Sequence, residues 1–201
     1  MSDIPLLFLA AGQSRRMRGR DKLLEQIDGI ALLRRQVLRA LESSVGPAFV
    51  AVPDIDHPRA QLLADLDVEI IAVPDASKGM NVTLSRGLSQ MPDTSGAVMV
   101  LLADMPDLTA SDLVAVKQAY DDNPEHLIWR ASTGDGKPGH PVIFARRIWP
   151  ELMALEGDAG GREVTNRYAA ETYRVALPDD RARLDLDTPE QWKDWRAAHA
   201  T

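Results

Sequence analysis

Short, continuous apolar runs alternate with segments of helical periodicity along the first half of the chain. The runs occupy residues 4–10, 48–52, 68–73 and 97–103. Runs of this length predict strands that are buried on both faces, as strands of parallel sheets are. The segments between them place apolar residues on single helical faces: Ile30, Leu33, Val37 and Leu41 on one, and Leu113, Val116 and Tyr120 on another. The alternation predicts βαβ units and a mainly parallel α/β sheet.

The second half of the chain has a less regular pattern. Residues 126–130 and 141–145 predict two strands around a Gly/Pro-rich loop at 132–140, and their closeness favours a small antiparallel excursion from the sheet. A helix is predicted over about 160–170 and a strand over 172–176. A last helix begins at Pro189, with Thr188 as its N-cap and Gln191 completing a capping box. A length of 201 residues fits one domain, residues 1–201.

Composition and charge limit the classes of partner and of chemical site that we expect for this chain. The chain is 45% apolar and 26% charged, which is typical of a globular protein. Its 23 basic and 30 acidic residues give a net charge of −7, so we expect neither nucleic acid nor a membrane as a partner. The absence of cysteine excludes disulfides, thiolate metal sites and a cysteine nucleophile. With no signal-peptide pattern at the N-terminal apolar run, we expect a cytoplasmic protein.

A basic loop follows the first predicted strand. Residues 15–22 contain five basic residues and one acid, directly after the small residues Ala10, Ala11 and Gly12. Small residues let the backbone approach a ligand at the carboxyl end of a parallel strand, where open α/β sheets bind ligands. Such a loop suits a triphosphate. The alternative is a solvated loop whose charges balance acids elsewhere.

Several familiar motifs are absent or misplaced. No P-loop pattern occurs, and the G-x-G-x-x-G letters at 134–139 lead into a predicted strand rather than a helix, which argues against a dinucleotide site. The four histidines lack metal-ligand spacing, and no G-x-S-x-G elbow is present. Zinc hydrolysis and serine hydrolysis therefore have no support in the sequence.

Aspartates and two glycine-rich loops add further candidates. Asp104 ends the apolar strand at 97–103, at the edge where the basic loop would lie, and carboxylates beside a triphosphate suit Mg²⁺. Asp185 and Asp187, expected to flank a strand residue, could approach the same cation, although each could equally serve the following helix start. The loop at 136–141 offers Lys137 or His140 to an anion, and the loop at 157–162 offers Arg162, although each could equally be a simple turn.

Six ordered blocks of residues resemble the nucleotidyltransferases that attach a nucleotide to molybdopterin. The blocks are residues 9–17, 22–24, 28–29, 104–106, 139–142 and 185–190, with further matches at 78–80, 84, 87–88 and 157–158. The resemblance extends over nearly the whole chain. It implies one α/β domain with a Rossmann-like, three-layer fold, and Mg²⁺-dependent transfer of a nucleoside monophosphate from an NTP with release of pyrophosphate.

The same resemblance implies roles for individual residues. Catalytic roles fall to Arg16, Lys22 and Asp104, and the metal would be held by Asp104 and Asp187, with Asp185 as the substitute. The nucleotide-binding residues would be Leu9, Ala10, Ala11, Gly12, Ser14, Arg15 and Lys22. The acceptor substrate would be bound by Lys78, Gly79, His140 and Arg162. One departure from the family pattern is Arg18, which lengthens the loop by one residue.

Choices of nucleotide and acceptor depend on finer features. Ala11 resembles the cytidylyl enzymes, whereas guanylyl enzymes have glycine there, so CTP is expected, with molybdopterin as acceptor and a molybdoenzyme or its maturation chaperone as a further partner. The isoprenoid cytidylyltransferases share the Leu-Ala-Ala-Gly loop and keep another phosphorylated acceptor open. Guanylyl transfer and a nucleotide-binding module without turnover are the remaining alternatives.

Overall fold

A computed structural model describes residues 3–155 and 161–200 of the chain. The main sheet has seven strands. A separate two-stranded hairpin is formed by β2 (Gln26–Ile27) and β3 (Ile30–Ala31). The strands of the main sheet are β1 (Leu6–Leu9), β4 (Ala48–Val52), β5 (Val68–Ala72), β6 (Ala97–Leu102), β7 (Ile128–Ser132), β8 (Pro138–Ala145) and β9 (Thr172–Ala176). The α-helices are α1 (Leu32–Ser43), α2 (Pro58–Gln61), α3 (Met80–Leu88), α4 (Ala110–Asp122), α5 (Trp149–Met153), α6 (Arg162–Arg167) and α7 (Pro189–Ala198).

The sheet order is β5-β4-β1-β6-β8-β7-β9. All neighbouring strands pair in parallel except at β8, which runs antiparallel to both β6 and β7. The mostly parallel α/β sheet and its small antiparallel excursion are therefore confirmed. Because β8 is reversed, its first residues lie at the same edge as the carboxyl ends of the parallel strands. That edge carries the candidate site.

Two apolar cores cover the two faces of the sheet and complete the three expected layers. Leu33, Val37, Val116 and Trp192 belong to one core, which is formed with α1, α4 and α7. The other core is formed with α3, α5 and α6. The predicted capping box of the last helix is present, since the Thr188 side chain accepts from the Gln191 backbone N–H. None of the helices in the described ranges is long and apolar enough to cross a membrane.

Some local predictions are wrong. Ile30 is not on the helical face with Leu33, because it lies in β3 and is 38% exposed. The 68–73 run forms the edge strand β5, so it is only partly buried instead of covered on both faces. Asp185 and Asp187 do not flank a strand residue, because residues 184–187 have no regular structure. The first two residues of the predicted 160–170 helix precede α6, and residue 160 lies outside the described residues.

Candidate functional site

A cleft of about 610 Å³ opens at the carboxyl edge of β1 and β6. Because these strands are parallel neighbours, the loop after Leu9 and the turn after Leu102 meet at this edge. Most of the predicted nucleotide-binding residues line the cleft: Leu9, Ala11, Gly12, Ser14, Arg15 and Lys22, and so does Arg16, which was predicted as catalytic. Asp104, Asp185 and Asp187 line it as well. The structure thus brings the basic loop and the acidic turns together.

Four of the predicted site residues lie away from the cleft lining. Ala10 is buried under the loop, and Lys78 is exposed and pairs with Asp75 at 3.2 Å. His140 and Arg162 lie toward β8 and α6. Gly79, next to Lys78, does line the cleft, and its φ of +134° is a backbone conformation that L side chains rarely adopt.

The chain between Ala10 and Lys22 is held in place by Arg59, a residue that sequence reasoning missed. Arg59 is 2% exposed, and its guanidinium donates to the Ala10 carbonyl, to the Ser14 hydroxyl at 3.2 Å and to Asp21 at 2.7 and 2.8 Å. Asp21 also accepts from the Leu23 backbone N–H at 3.0 Å. The lone acid among five basic residues was the available signal, because a carboxylate in such a segment can also pair with a cation from elsewhere in the fold.

Lys22 bridges the two halves of the acidic cluster. Its Nζ pairs with Asp104 and lies 2.6 Å from Asp187. Arg16 reaches Asp187 from the solvent side at 2.5 Å. Burial opposes the charge on Lys22, but Asp104 and Asp187 outweigh it and raise the pKa of Lys22 above its ordinary value. The lysine is therefore charged and neutralises part of the cluster.

Asp104, Asp185 and Asp187 converge, with one carboxylate oxygen of each within 4.8 Å of the others. The Leu186 backbone N–H donates to the Asp104 carbonyl at 3.1 Å, which fixes the two chain segments against each other. The convergence of Asp104 with Asp187 therefore occurs without the strand that was expected before Asp187. Asp185, the substitute ligand, belongs to the same cluster.

The cluster suits a divalent cation because it leaves one acceptor atom free and because a cation would offset the repulsion between its carboxylates. Asp104 Oδ1 is buried and has no hydrogen-bond partner among the described residues, so an acceptor atom remains available there. Burial, the hydrogen bond with Asp187 and the charge of Asp104 raise the pKa of Asp185 to about 6. Burial opposes ionisation of Asp187 too, yet its contacts with Asp185, Lys22 and Arg16 hold its pKa below the usual range. Carboxylate oxygens are the preferred ligands of hard cations such as Mg²⁺ and Mn²⁺.

His140 lies next to this cluster on β8. Its Nδ1 is shielded from solvent and lacks a hydrogen-bond partner among the described residues. Burial and the nearby Arg130 charge lower the pKa of His140 to about 4, although Val100 and Asp104 act in the opposite direction. The imidazole is therefore neutral at pH 7.

The low pKa of His140 predicts a specific loss of stability in acid. Between pH 6.5 and about 4 the unfolded chain binds a proton at this residue while the folded chain does not, so stability falls as pH decreases through that window. The limiting loss is about 3 kcal/mol. Urea unfolding at pH 7 and pH 5 should show a smaller stability difference for His140→Gln than for the wild type. Equal differences in the two proteins would contradict the prediction.

Comparison with known proteins identifies the family. The model of the MobA-like NTP transferase domain matches residues 6–172. The chain belongs to this family. A molybdenum cofactor guanylyltransferase of Shewanella piezotolerans is 27% identical over 194 residues, which cover 94% of this chain and 89% of that protein. The bifunctional protein GlmU of Trichlorobacter lovleyi is 33% identical over 109 residues, which cover 53% of this chain and only 24% of that protein.

Solved structures agree on the fold. The Rv0371C protein of Mycobacterium tuberculosis, in a complex with manganese, aligns over 100% of both chains with a TM-score of 0.80 and 21% identity. At that identity the likeness shows the fold alone. Membership of the MobA-like family establishes the chain as a nucleotidyltransferase, and the resemblance found in the sequence is confirmed.

Arg18, the extra residue of the family loop, points away from the cleft. Its guanidinium lies 2.7 Å from Glu190 in the first turn of α7, and both side chains are exposed. The additional residue is accommodated by left-handed backbone at Ser14 and Arg18, with φ values of 49° and 54°. The insertion thus ties the basic loop to α7 and leaves the cleft lining to Arg15 and Arg16.

Proposed function

We propose that this MobA-like transferase moves CMP from Mg²⁺-bound CTP to the phosphate of a molybdopterin-type acceptor and releases pyrophosphate. The observation that carries the proposal is the meeting of Lys22, Arg16 and the three-aspartate cluster beside a small-residue loop. The relatives named molybdenum cofactor guanylyltransferase support the acceptor class. A molybdoenzyme or its maturation chaperone would then receive the product.

The reaction brings two anions together, so their repulsion must be offset. An oxygen of the acceptor phosphate attacks the α-phosphorus of the nucleotide, a new P–O bond forms, and the bond to the β-phosphate oxygen breaks so that pyrophosphate leaves with both electrons. A bound divalent cation supplies charge neutralisation of the phosphates. Lys22 and Arg16 add positive charge from the loop, and positioning and electrostatics perform most of the catalysis. No side-chain nucleophile is needed.

The cation site of this proposal consists of Asp104 and Asp187, with Asp185 as the third carboxylate of the cluster. The buried, unpartnered Oδ1 of Asp104 favours this assignment. In the structure, Lys22 pairs with Asp104 and Asp187, and Arg16 pairs with Asp187, so the negative charge of these carboxylates is partly neutralised. With a cation held by these carboxylates, Lys22 and Arg16 would be available to the nucleotide phosphates.

The preference for CTP follows from Ala11. Ala11 lines the cleft, and it is buried in the same core cluster as Leu7 and Ala51. A methyl group at that turn reduces the room that a purine base needs. GTP is the second candidate, because the relatives that align over 94% of this chain are named guanylyltransferases.

Ala11→Gly should therefore shift the nucleotide preference from CTP toward GTP. One methyl group in a pocket discriminates by roughly 10–200-fold, so we expect a change in the CTP/GTP ratio within that range. The measurement is the affinity of wild type and variant for each nucleotide with Mg²⁺. A wild type that already prefers GTP would remove the basis of the CTP assignment.

Pyrophosphate release tests the proposed function as a whole. Purified protein is supplied with Mg²⁺, molybdopterin and each of CTP, GTP, ATP and UTP, and pyrophosphate is measured. We expect release with CTP that depends on the acceptor. Nucleotide binding without acceptor-dependent release would indicate a binding module instead of an enzyme.

A further inference from the structure

Four arginines gather beyond the cleft, toward the β9 end of the sheet. They are Arg130, Arg162, Arg174 and Arg183, and no ion pair with a carboxylate joins any of them within residues 3–155 and 161–200. Other arginines of the chain, such as Arg34 and Arg181, pair with acids. Arg130 is half-buried and the other three are exposed, so in a chain of net charge −7 this group forms a local positive patch that would attract an anion.

Strand pairing places two of these arginines side by side. Arg130 on β7 and Arg174 on β9 are register partners in parallel strands, so their side chains leave the same face of the sheet. Arg130 is half-buried, and its guanidinium donates to the Gly139 carbonyl at 3.0 Å and to the Thr165 hydroxyl at 3.4 Å. Neither partner neutralises its charge.

Hydrogen bonds connect the chain segments that carry the other two arginines, Arg162 and Arg183, to the surroundings of Arg130. The Thr165 hydroxyl donates to the Arg162 carbonyl at 3.0 Å, which brings the first turn of α6 to Arg130. The His140 backbone N–H donates to the Ala182 carbonyl at 2.8 Å, so the residue before Arg183 packs on β8. A Cβ at Gly139 would lie 1.9 Å from that carbonyl oxygen, so only glycine permits the approach.

The pKa of Arg130 agrees with the proximity of the four arginines. Burial lowers the pKa of Arg130, and the charges of Arg174, Arg162 and Arg183 lower it further. The charges of the other three arginines thus oppose the charge of Arg130, and an anion among them would offset that repulsion. A phosphate suits the group, since guanidinium forks bind phosphate oxygens in pairs.

The arginines share a sheet face with the nucleotide cleft. Val142 on β8 and Ile128 on β7 belong to the same core cluster as Leu7 and Val100 under the cleft. Alternation along the strands then puts His140 and Arg130 on that face. His140 lies on β8, which stands between β6, the strand before Asp104, and β7, the strand that carries Arg130.

We propose that Arg130, Arg174 and Arg183 bind a phosphate monoester group of the acceptor, with Arg162 at the edge of the same site. This inference rests on the proposed function for its statement that the acceptor brings a phosphate to the cleft. The nucleotide phosphates would use Lys22 and Arg16, and the acceptor phosphate would use separate cations on the β7–β9 side. Each anion would then have its own counter-charge before the two meet.

Inorganic phosphate is the probe, because it needs no turnover and no identified acceptor. Phosphate is titrated calorimetrically into wild type, Arg174→Gln/Arg183→Gln and the matched control Arg86→Gln/Arg147→Gln, which removes two exposed arginines elsewhere. Each titration is run with and without the α,β-methylene analogue of CTP and Mg²⁺. We expect the Arg174→Gln/Arg183→Gln protein to bind phosphate at least tenfold more weakly, with analogue affinity unchanged, and the control to match the wild type.

Phosphate affinity that is equal in the test variant and the wild type would overturn the inference, as would an equal loss in the control. A matching loss of analogue affinity would assign the arginines to the nucleotide and would also overturn it.

Arg130→Gln, checked for folding by circular dichroism, should repeat the loss of phosphate affinity. Where molybdopterin is turned over, its KM should rise in the test variant while kcat is retained. Absence of pyrophosphate release from the wild type would contradict the proposed function alone, because the phosphate titration measures binding and does not depend on turnover.

Discussion

Asp104→Asn is expected to lower turnover by at least about 100-fold while the fold survives. The change keeps the size of the side chain and removes the negative charge that a hard cation requires. Loss of one group that stabilises developing charge typically costs about 10²–10³ in kcat. Pyrophosphate release measures the loss, and circular dichroism with thermal unfolding verifies the fold. Mn²⁺ binding in the presence of nucleotide should weaken in parallel.

Asp187→Asn should behave like Asp104→Asn, since both carboxylates lie in one cluster and both contact Lys22. Asp185→Asn distinguishes the two possible ligand pairs. If Asp187→Asn keeps wild-type turnover and Asp185→Asn loses it, Asp185 is the second ligand. Asp93→Asn, an exposed carboxylate that pairs with Arg146, is the control. Normal turnover in Asp104→Asn would remove the carboxylate cluster from the mechanism.

Lys22→Ala is the second change with a large expected effect, and its effects on two ligands should be opposite. A charge-assisted phosphate contact is worth about 1.5–3 kcal/mol, so nucleotide affinity should fall by roughly 10–150-fold. Mn²⁺ binding without nucleotide should instead strengthen, because Lys22 competes for Asp104 and Asp187. Arg16→Ala should show the same pattern with a smaller amplitude, since its side chain is 69% exposed.

Lys193→Ala removes a positive charge from the exposed side of α7 and is the control for Lys22→Ala. Calorimetry of nucleotide and electron paramagnetic resonance of Mn²⁺ supply the two affinities. Unchanged nucleotide affinity in both Lys22→Ala and Arg16→Ala would separate the basic loop from the phosphates. Weaker Mn²⁺ binding by Lys22→Ala without nucleotide would contradict the competition.

Local sequence patterns predicted much of the fold because strand burial and helix capping depend on residues that are close together in the sequence. Continuous apolar runs identified β1, β4 and β6, and the Thr188 capping box located the start of α7. The position of Asp104 at the end of an apolar strand was enough to place it at the edge beside the basic loop. The edge position of β5 was not predictable, because a strand's neighbours in the sheet depend on topology.

The missed parts of the site depend on contacts between distant residues. Arg59 is 38 positions from Asp21, and Lys22 is 165 positions from Asp187. No periodicity links such pairs, so their spacing in the sequence has no signal. Arg130 and Arg174 are brought together only by the pairing of β7 with β9. Sequence position and the family resemblance supplied the aspartates and Arg162, whereas the folded chain was needed to find Arg130, Arg174 and Arg183.

The contacts of Arg59 have a consequence for the thermodynamics of nucleotide binding. They hold the loop at three points, Ala10, Ser14 and Asp21. Ordering a residue costs about 1–2 kcal/mol of conformational entropy, and in this protein that cost falls on folding and not on association. Nucleotide therefore meets a preorganised loop, and its binding entropy reports released water and ions more than the freezing of a flexible chain.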